Sequence, residues 1–142
     1  MSRSTRERDP LTPARRAAML KAARAARKNS VAPYSGFRVG ASLVTSTGAI
    51  IGGCNVENAT LGLTVCAERV ALWKALSEGH RRFGAVCVTT AADRPTPPCG
   101  ACRQLLWEFC GDVPVYMVNS RGKSRTMMMS ELFPEAFSKK DL

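Results

Sequence analysis

Three of the chain's six cysteines stand in a pattern that could do chemistry. Cys99 and Cys102 are three apart in Pro98-Cys99-Gly100-Ala101-Cys102, and Cys66 opens Cys66-Ala67-Glu68-Arg69. Each stretch falls where a helix is expected to begin. Residues three apart on a helix share a face, so Cys99 and Cys102 can aim both sulfurs at one point. The free N–H groups and positive dipole end of a helix N-terminus stabilise thiolates there. Cys66 supplies a third sulfur if the two helices lie side by side on one sheet face. Three protein ligands leave the fourth tetrahedral position open, the pattern of a catalytic rather than a structural zinc. Glu68, in a first helical turn, can lean over the metal without binding it and take a proton from its water. Arg69 can pair with a ligand sulfur and offset the electron donation of three thiolates. The competing reading of these four residues is an adventitious or structural thiol cluster.

The remaining candidates have blander readings. His80, the one histidine, follows a helix-ending glycine and reads as a surface residue. Cys54, Cys87 and Cys110 have no partner spacing and read as small buried hydrophobes. Met127, Met128 and Met129 read as strand core with some interface, and Trp73 and Trp107 as core or subunit contacts.

The elements that must position these residues follow from local signals. Thr12 followed by Pro13 is a hydroxyl N-cap with proline at the first helical position, opening a helix that runs to Asn29. Ala14, Ala17, Ala18, Ala22 and Ala25 form a small-residue stripe for close packing. A strand over 39–45, a turn at Ser46-Thr47-Gly48 and a return over 49–54 make a hairpin. Asn55 and Glu57 then fall on the same side where the strand ends. Thr64 is placed to cap a helix over 65–78, ended by Gly79. A buried-type strand over 84–90, a proline-rich loop, a helix over 99–109 and a strand over 113–118 come next. A last strand lies near 126–129, and Ser130 caps a short helix through Leu132. This order implies an α/β fold, a mixed sheet flanked by helices. One domain over 12–142 follows a disordered basic arm over 1–11.

Composition bounds the partners. The net charge is +10 over 142 residues, yet nine of the 21 Lys/Arg and two of the 11 acids fall within residues 1–28. The excess therefore belongs to the arm and first helix, read as a solvated tail and helix surface. No apolar run approaches the roughly 20 residues of a membrane span. An apolar secretory core is missing from the N-terminus, which points to a reducing cytoplasm where cysteines are thiols or metal ligands. Only 6% of residues are aromatic, which argues against a channel that stacks a nucleic-acid strand.

With these residues in view, the chain resembles the small zinc-dependent cytidine deaminases that act on free nucleosides and assemble as homotetramers. The zinc motif itself, His or Cys, then Glu two on, then PCxxC, is shared more widely. The resemblance narrows on Tyr34-Ser35-Gly36-Phe37-Arg38-Val39-Gly40-Ala41 and Gly53-Cys54-Asn55-Val56-Glu57-Asn58-Ala59. Leu63-Thr64-Val65-Cys66-Ala67-Glu68-Arg69 and Pro98-Cys99-Gly100-Ala101-Cys102-Arg103-Gln104 complete it, from about Ala14 to the closing Leu132-Phe133-Pro134-Glu135-Ala136-Phe137.

The resemblance implies a three-layer sandwich with a five-stranded mixed sheet and one zinc per subunit on Cys66, Cys99 and Cys102. It implies that Phe37 packs on the pyrimidine, Asn55 and Glu57 bind the ribose 3′-hydroxyl, and Ala67 offers backbone contacts to the base. Ala59 would lie near the ribose 5′-hydroxyl across a subunit boundary, and Phe137 would reach a neighbouring subunit's pocket. Arg69 would pair with the zinc thiolates. Leu61 departs from the tyrosine common at its position. The implied function is hydrolytic deamination of cytidine and deoxycytidine in pyrimidine salvage. In it Glu68 shuttles protons between the zinc-bound water, N3 and the leaving amino group. Three rival readings remain: a deaminase acting inside nucleic acid, a zinc-stabilised binding module, and a deaminase of another small aminopyrimidine such as a nucleoside antibiotic.

Overall fold

The computed structural model describes residues 11–142. The expected arm over 1–11 lies outside the described residues except for Leu11, which is buried in a cluster with Met19 and Ala23. Thr12 caps α1 (Pro13–Arg27), its hydroxyl accepting from the Arg15 amide at 3.2 Å. The hairpin forms as read, from β1 (Val39–Thr45) and β2 (Ile50–Cys54), with Gly48 in the turn at φ +92°. That left-handed conformation favours glycine. Next come α2 (Ala67–Ser77), β3 (Phe83–Thr90), α3 (Gly100–Cys110), β4 (Pro114–Asn119), β5 (Ser124–Met128) and a four-residue α4 (Met129–Leu132).

The strands make one mixed sheet in the order β2-β1-β3-β4-β5. β1 runs antiparallel to both β2 and β3, β3 and β4 are parallel, and β5 returns antiparallel. α2 and α3 are therefore both crossovers between strands that point the same way. Such connections share one hand and put their helices on one face of the sheet. β1 is buried from Gly40 to Thr45, as strands covered on both faces are.

Each face has its own core. On one, Leu43, Val86, Val88, Val115 and Met117 pack under Ala71, Leu72 and Ala75 of α2 and Leu106 of α3. On the other, Val44, Ala85 and Cys87 pack under Met19 and Ala23 of α1. Two glycines set how closely the helices approach. A Cβ at Gly40 would stand 2.0 Å from the Ala23 carbonyl oxygen of α1. One at Gly53 would stand 2.5 Å from the Ala71 amide nitrogen of α2.

Several local expectations are corrected. Ala14, Ala17, Ala18 and Ala25 are exposed, and α1 meets the sheet through Met19, Ala22, Ala23 and Ala26 instead. Thr64 does not cap α2: its hydroxyl accepts from the Asn58 amide at 3.1 Å, and Cys66 takes the N-cap position. Ser130 lies inside α4, whose N-cap is Met128. Trp73 is half exposed, whereas Trp107 packs on the core.

Candidate active site

Cys66 is the N-cap of α2 and Cys99 the N-cap of α3. Neither sulfur caps its own helix, which leaves both side chains free to turn toward a common point. Both helices begin beyond the carboxyl ends of parallel-pointing strands, so their N-termini share one edge of the sheet. Cys102, one turn into α3, is buried and completes the group. The three sulfurs lie within 4.8 Å of one another, with Cys66 and Cys99 3.8 Å apart.

The geometry fits zinc. Zn–S bonds of about 2.3 Å in a tetrahedron place sulfurs about 3.8 Å apart. Arg69 adds a second observation. Its Nη2 lies 3.4 Å from the Cys66 sulfur, a cation beside a group that would carry negative charge, and its Nε is buried without a partner among the described residues. The chemistry of the thiols agrees. A hydrogen bond from the Cys102 thiol, then Arg69 and Cys99, lowers Cys66 to about 5 against the cost of burial. Cys102 is raised well above the ordinary thiol range, chiefly by the same hydrogen bond and by burial. The pair thus concentrates negative charge on Cys66, at a helix N-terminus where the dipole favours it.

Glu68 stands in the first turn of α2 and is 4% exposed. Burial pushes its carboxyl up to about 7, its own backbone N–H pulls it down, and the charge on Cys66 raises it. A carboxyl poised near neutrality beside a cysteine cluster that could hold a metal suits proton transfer in either direction.

A cavity of about 270 Å³ opens beside this group, lined by Glu68, Cys66, Cys99, Ala67, Phe37, Asn55 and Glu57 among others. Asn55 and Glu57 hold its far wall. The Asn55 carbonyl oxygen accepts from the Val39 amide at 2.9 Å and from the Ser30 hydroxyl, while its amide donates to the Phe37 carbonyl at 2.7 Å. Glu57 accepts from the Tyr34 and Ser35 amides at 2.9 and 3.1 Å and from the Ser35 hydroxyl at 2.5 Å. The Ser35 hydroxyl bond is the main cause holding the Glu57 carboxyl below its ordinary range. The two side chains therefore anchor the loop that presents Phe37 to the cavity.

The fold thus gathers eight of the candidate residues around one cavity and its sulfur cluster, with Arg69 behind them. It leaves two apart. Ala59 is exposed and does not line the cavity, and Phe137 is exposed in a separate cavity with Trp107, Phe109 and Leu142. Sequence reasoning assigned nothing to Ser35, Thr96 or Pro97, which the structure puts on the wall. Ser35 carried a signal, since Asn55 and Glu57 need donors and it stands in the loop leading to Phe37. Arg103 was passed over too. It ties the Cys99 loop to the end of α4, donating to the Pro98 carbonyl at 2.7 Å and the Leu132 carbonyl at 2.5 Å.

Residues 13–118 match the family model described as the cytidine and deoxycytidylate deaminase zinc-binding region. The chain is 48% identical over 125 residues to a cytidine deaminase from Halalkalibacterium halodurans, covering 87% of this chain and 95% of that one. It superposes on the crystal structure of a cytidine deaminase from Burkholderia pseudomallei with a TM-score of 0.83 and 46% identity, covering 85% of this chain and 98% of that one. A blasticidin-S deaminase from Bacillus cereus is 30% identical over 109 residues, covering 71% of this chain and 77% of that one.

Proposed function

The chain belongs to the cytidine and deoxycytidylate deaminase zinc-binding family, and from that premise we propose that it hydrolyses cytidine and deoxycytidine to uridine and deoxyuridine, releasing ammonia. The observation that carries this reading is the buried Glu68 carboxyl facing one cavity with a three-sulfur cluster. Zinc held by Cys66, Cys99 and Cys102 supplies a Lewis acid that brings the pKa of water toward neutrality. Glu68 accepts a proton from the attacking water and delivers it to N3 of the pyrimidine, which makes C4 electrophilic. Oxygen bonds to C4, Glu68 passes the second proton to the amino nitrogen, the C4–N bond breaks and ammonia leaves. The burial that raises the Glu68 pKa makes it a usable acid as well as a base near pH 7. Arg69 holds the Cys66 thiolate in place.

Substrate positioning rests on the far wall. Phe37 offers an apolar face to the base, and the Ala67 backbone its first-turn polar groups. Asn55 and Glu57 address the ribose 3′-hydroxyl while fixing the Phe37 loop. The rim of the site supports a homotetramer with sites shared between subunits. Phe37 on the cavity wall and, close in sequence to the lining residues Ser35 and Thr64, Tyr34, Leu61 and Leu63 are exposed apolar side chains, Leu61 to 70%, surface of the kind a subunit contact covers. Phe137, exposed on this chain, is then free to enter a neighbour's site, with Ala59 at the boundary. No helix among the described residues is long and apolar enough to cross a membrane. A cytoplasmic role in pyrimidine salvage suits a chain whose thiols must stay reduced.

Product analysis by liquid chromatography tests the reading. Incubated separately with cytidine, deoxycytidine and blasticidin S, the zinc-loaded protein should form uridine and deoxyuridine in step with ammonia. Turnover of blasticidin S alone would move the substrate to another aminopyrimidine. Sedimentation velocity should give four times the chain mass, and a stable monomer would sink the shared-site reading.

A further inference from the structure

The basic charge at the end of α1 has no use in the reaction proposed above, because cytidine is uncharged. It borders a third pocket, of about 200 Å³, lined by Arg24, Arg27, Lys28, Thr89, Thr90 and Ser120. Three cations and three hydroxyl residues line it, and no carboxylate does. Thr89 and Thr90 close β3, and Ser120 follows β4, so the pocket sits at the carboxyl ends of the parallel pair. Crevices at such strand ends are where open α/β sheets receive ligands. Cys87 and Ala85, on the row that leads to Thr89, pack under α1, away from the face that carries Glu68.

Arg27 is held in place, and Lys28 is tied through its backbone. Arg27 Nε donates to the Arg38 carbonyl at 3.0 Å, and Arg38 Nη2 donates to the Lys28 carbonyl at 2.5 Å. The second of these bonds caps a carbonyl at the negative end of α1, and the pair ties Arg38, a third guanidinium, to Arg27 and Lys28. Arg24 stands near enough to β3 for its charge to act on Cys87. Guanidinium forks bind tetrahedral oxyanions in bidentate fashion, an ammonium adds a point charge, and the Thr89 and Ser120 hydroxyls can donate to the remaining oxygens, the Thr90 hydroxyl being engaged with Thr96 and the Ala92 amide. A lone carboxylate would leave most of these donors unused. We propose that this pocket binds the phosphate group of a phosphate-bearing ligand, carried either by a free diphosphate or nucleotide or by a nucleic-acid backbone.

The test uses the full-length, zinc-loaded protein in about 150 mM KCl, where charges separated by more than about 8 Å are screened. Pyrophosphate is titrated by calorimetry, and a labelled twelve-nucleotide single strand by fluorescence anisotropy. Arg24→Gln with Lys28→Gln removes two exposed charges from the pocket. Lys74→Gln with Arg125→Gln removes the same charge elsewhere. We expect saturable binding that the pocket pair weakens at least about tenfold and the control pair less than about threefold, with cytidine turnover and melting temperature unchanged in both. A strand that binds, is displaced by pyrophosphate and is lost in the same variants assigns the phosphate to nucleic acid. Pyrophosphate binding without strand binding assigns it to a small ligand. Saturable binding of neither probe, or equal losses in the two double variants, overturns the proposal.

Discussion

Replacing Gly53 with alanine places a methyl carbon 2.5 Å from the Ala71 amide nitrogen and 2.9 Å from the Ala67 carbonyl oxygen, both backbone atoms of α2. No side-chain rotamer can relieve that contact. Carbon at van der Waals distance needs about 3.5 Å, so the start of α2 has to retreat by about 1 Å. Overpacking of this kind costs about 1–3 kcal/mol, or about 3–10 °C in melting temperature for a domain of this size. The larger effect falls on chemistry, because α2 carries Cys66 and Glu68 while α3 carries Cys99 and Cys102. Displacing one helix against the other spoils the 3.8 Å spacing between Cys66 and Cys99. A misplacement of about 1 Å can cost about a hundredfold in rate. Gly52→Ala is the internal control. Its methyl points to the other face and meets the Ala22 carbonyl at 3.4 Å and the Ala26 Cβ at 3.5 Å, ordinary contact distances. Thermal melts, zinc content and cytidine turnover of both variants check the reasoning. Gly53→Ala should lose on all three and Gly52→Ala on none; equal behaviour of the two would refute it.

Asn55→Ala removes partners from the Val39 amide and the Phe37 carbonyl together, so a loss of about 1–3 kcal/mol and a raised KM are expected, read by melting and steady-state kinetics. Ser35→Ala removes the hydroxyl bond to Glu57 and leaves the two amide bonds, so KM should rise up to about tenfold with kcat nearly kept, whereas an unchanged KM would remove the hydroxyl's part in anchoring the loop. Glu57 is held below its ordinary pKa, so its folded-state bonds persist above the ordinary carboxylate range and are lost as pH falls through the lowered value. Glu57 should therefore contribute no rise in KM within the ordinary carboxylate range and add one only below it, seen as the difference between the wild-type and Glu57→Gln pH profiles, the variant showing the raised KM throughout. Burial pushes Cys87 and Cys110 up to about 12, so both should escape iodoacetamide at about pH 8 in the native protein, as peptide mass spectrometry would show.

The parts of the fold set by period-two or capping signals were legible. β1 has the bounds read from its hydrophobic run, and Thr12 with Pro13 opens α1 as their chemistry requires. The packing face of α1 was not legible, because alanines occur all round the helix and composition alone selects no face. Met19, and the glycines of β1 and β2 that face Ala22, Ala23 and Ala26, decide the matter, and they are distant in sequence. Thr64 misled for a similar reason. Its hydroxyl serves a loop six residues upstream, and the helix start was left to a cysteine whose sulfur has another use. In the site, the sulfur cluster was readable because Cys66 and Cys99 each stand at a helix start on the same sheet edge and Cys102 follows one turn into α3. The bonds of Ser35 and Arg103 join segments more than 20 residues apart, and no local pattern encodes them.

The most direct test of the central claim, that Glu68 moves the protons while the three thiols hold the metal, is the ultraviolet loss as cytidine becomes uridine, followed with wild type and Glu68→Gln at matched zinc content. The account predicts full zinc loading and an unchanged melting profile in the variant, with the rate down at least about 10²–10⁴-fold. Turnover near the wild-type rate in zinc-loaded Glu68→Gln would contradict it.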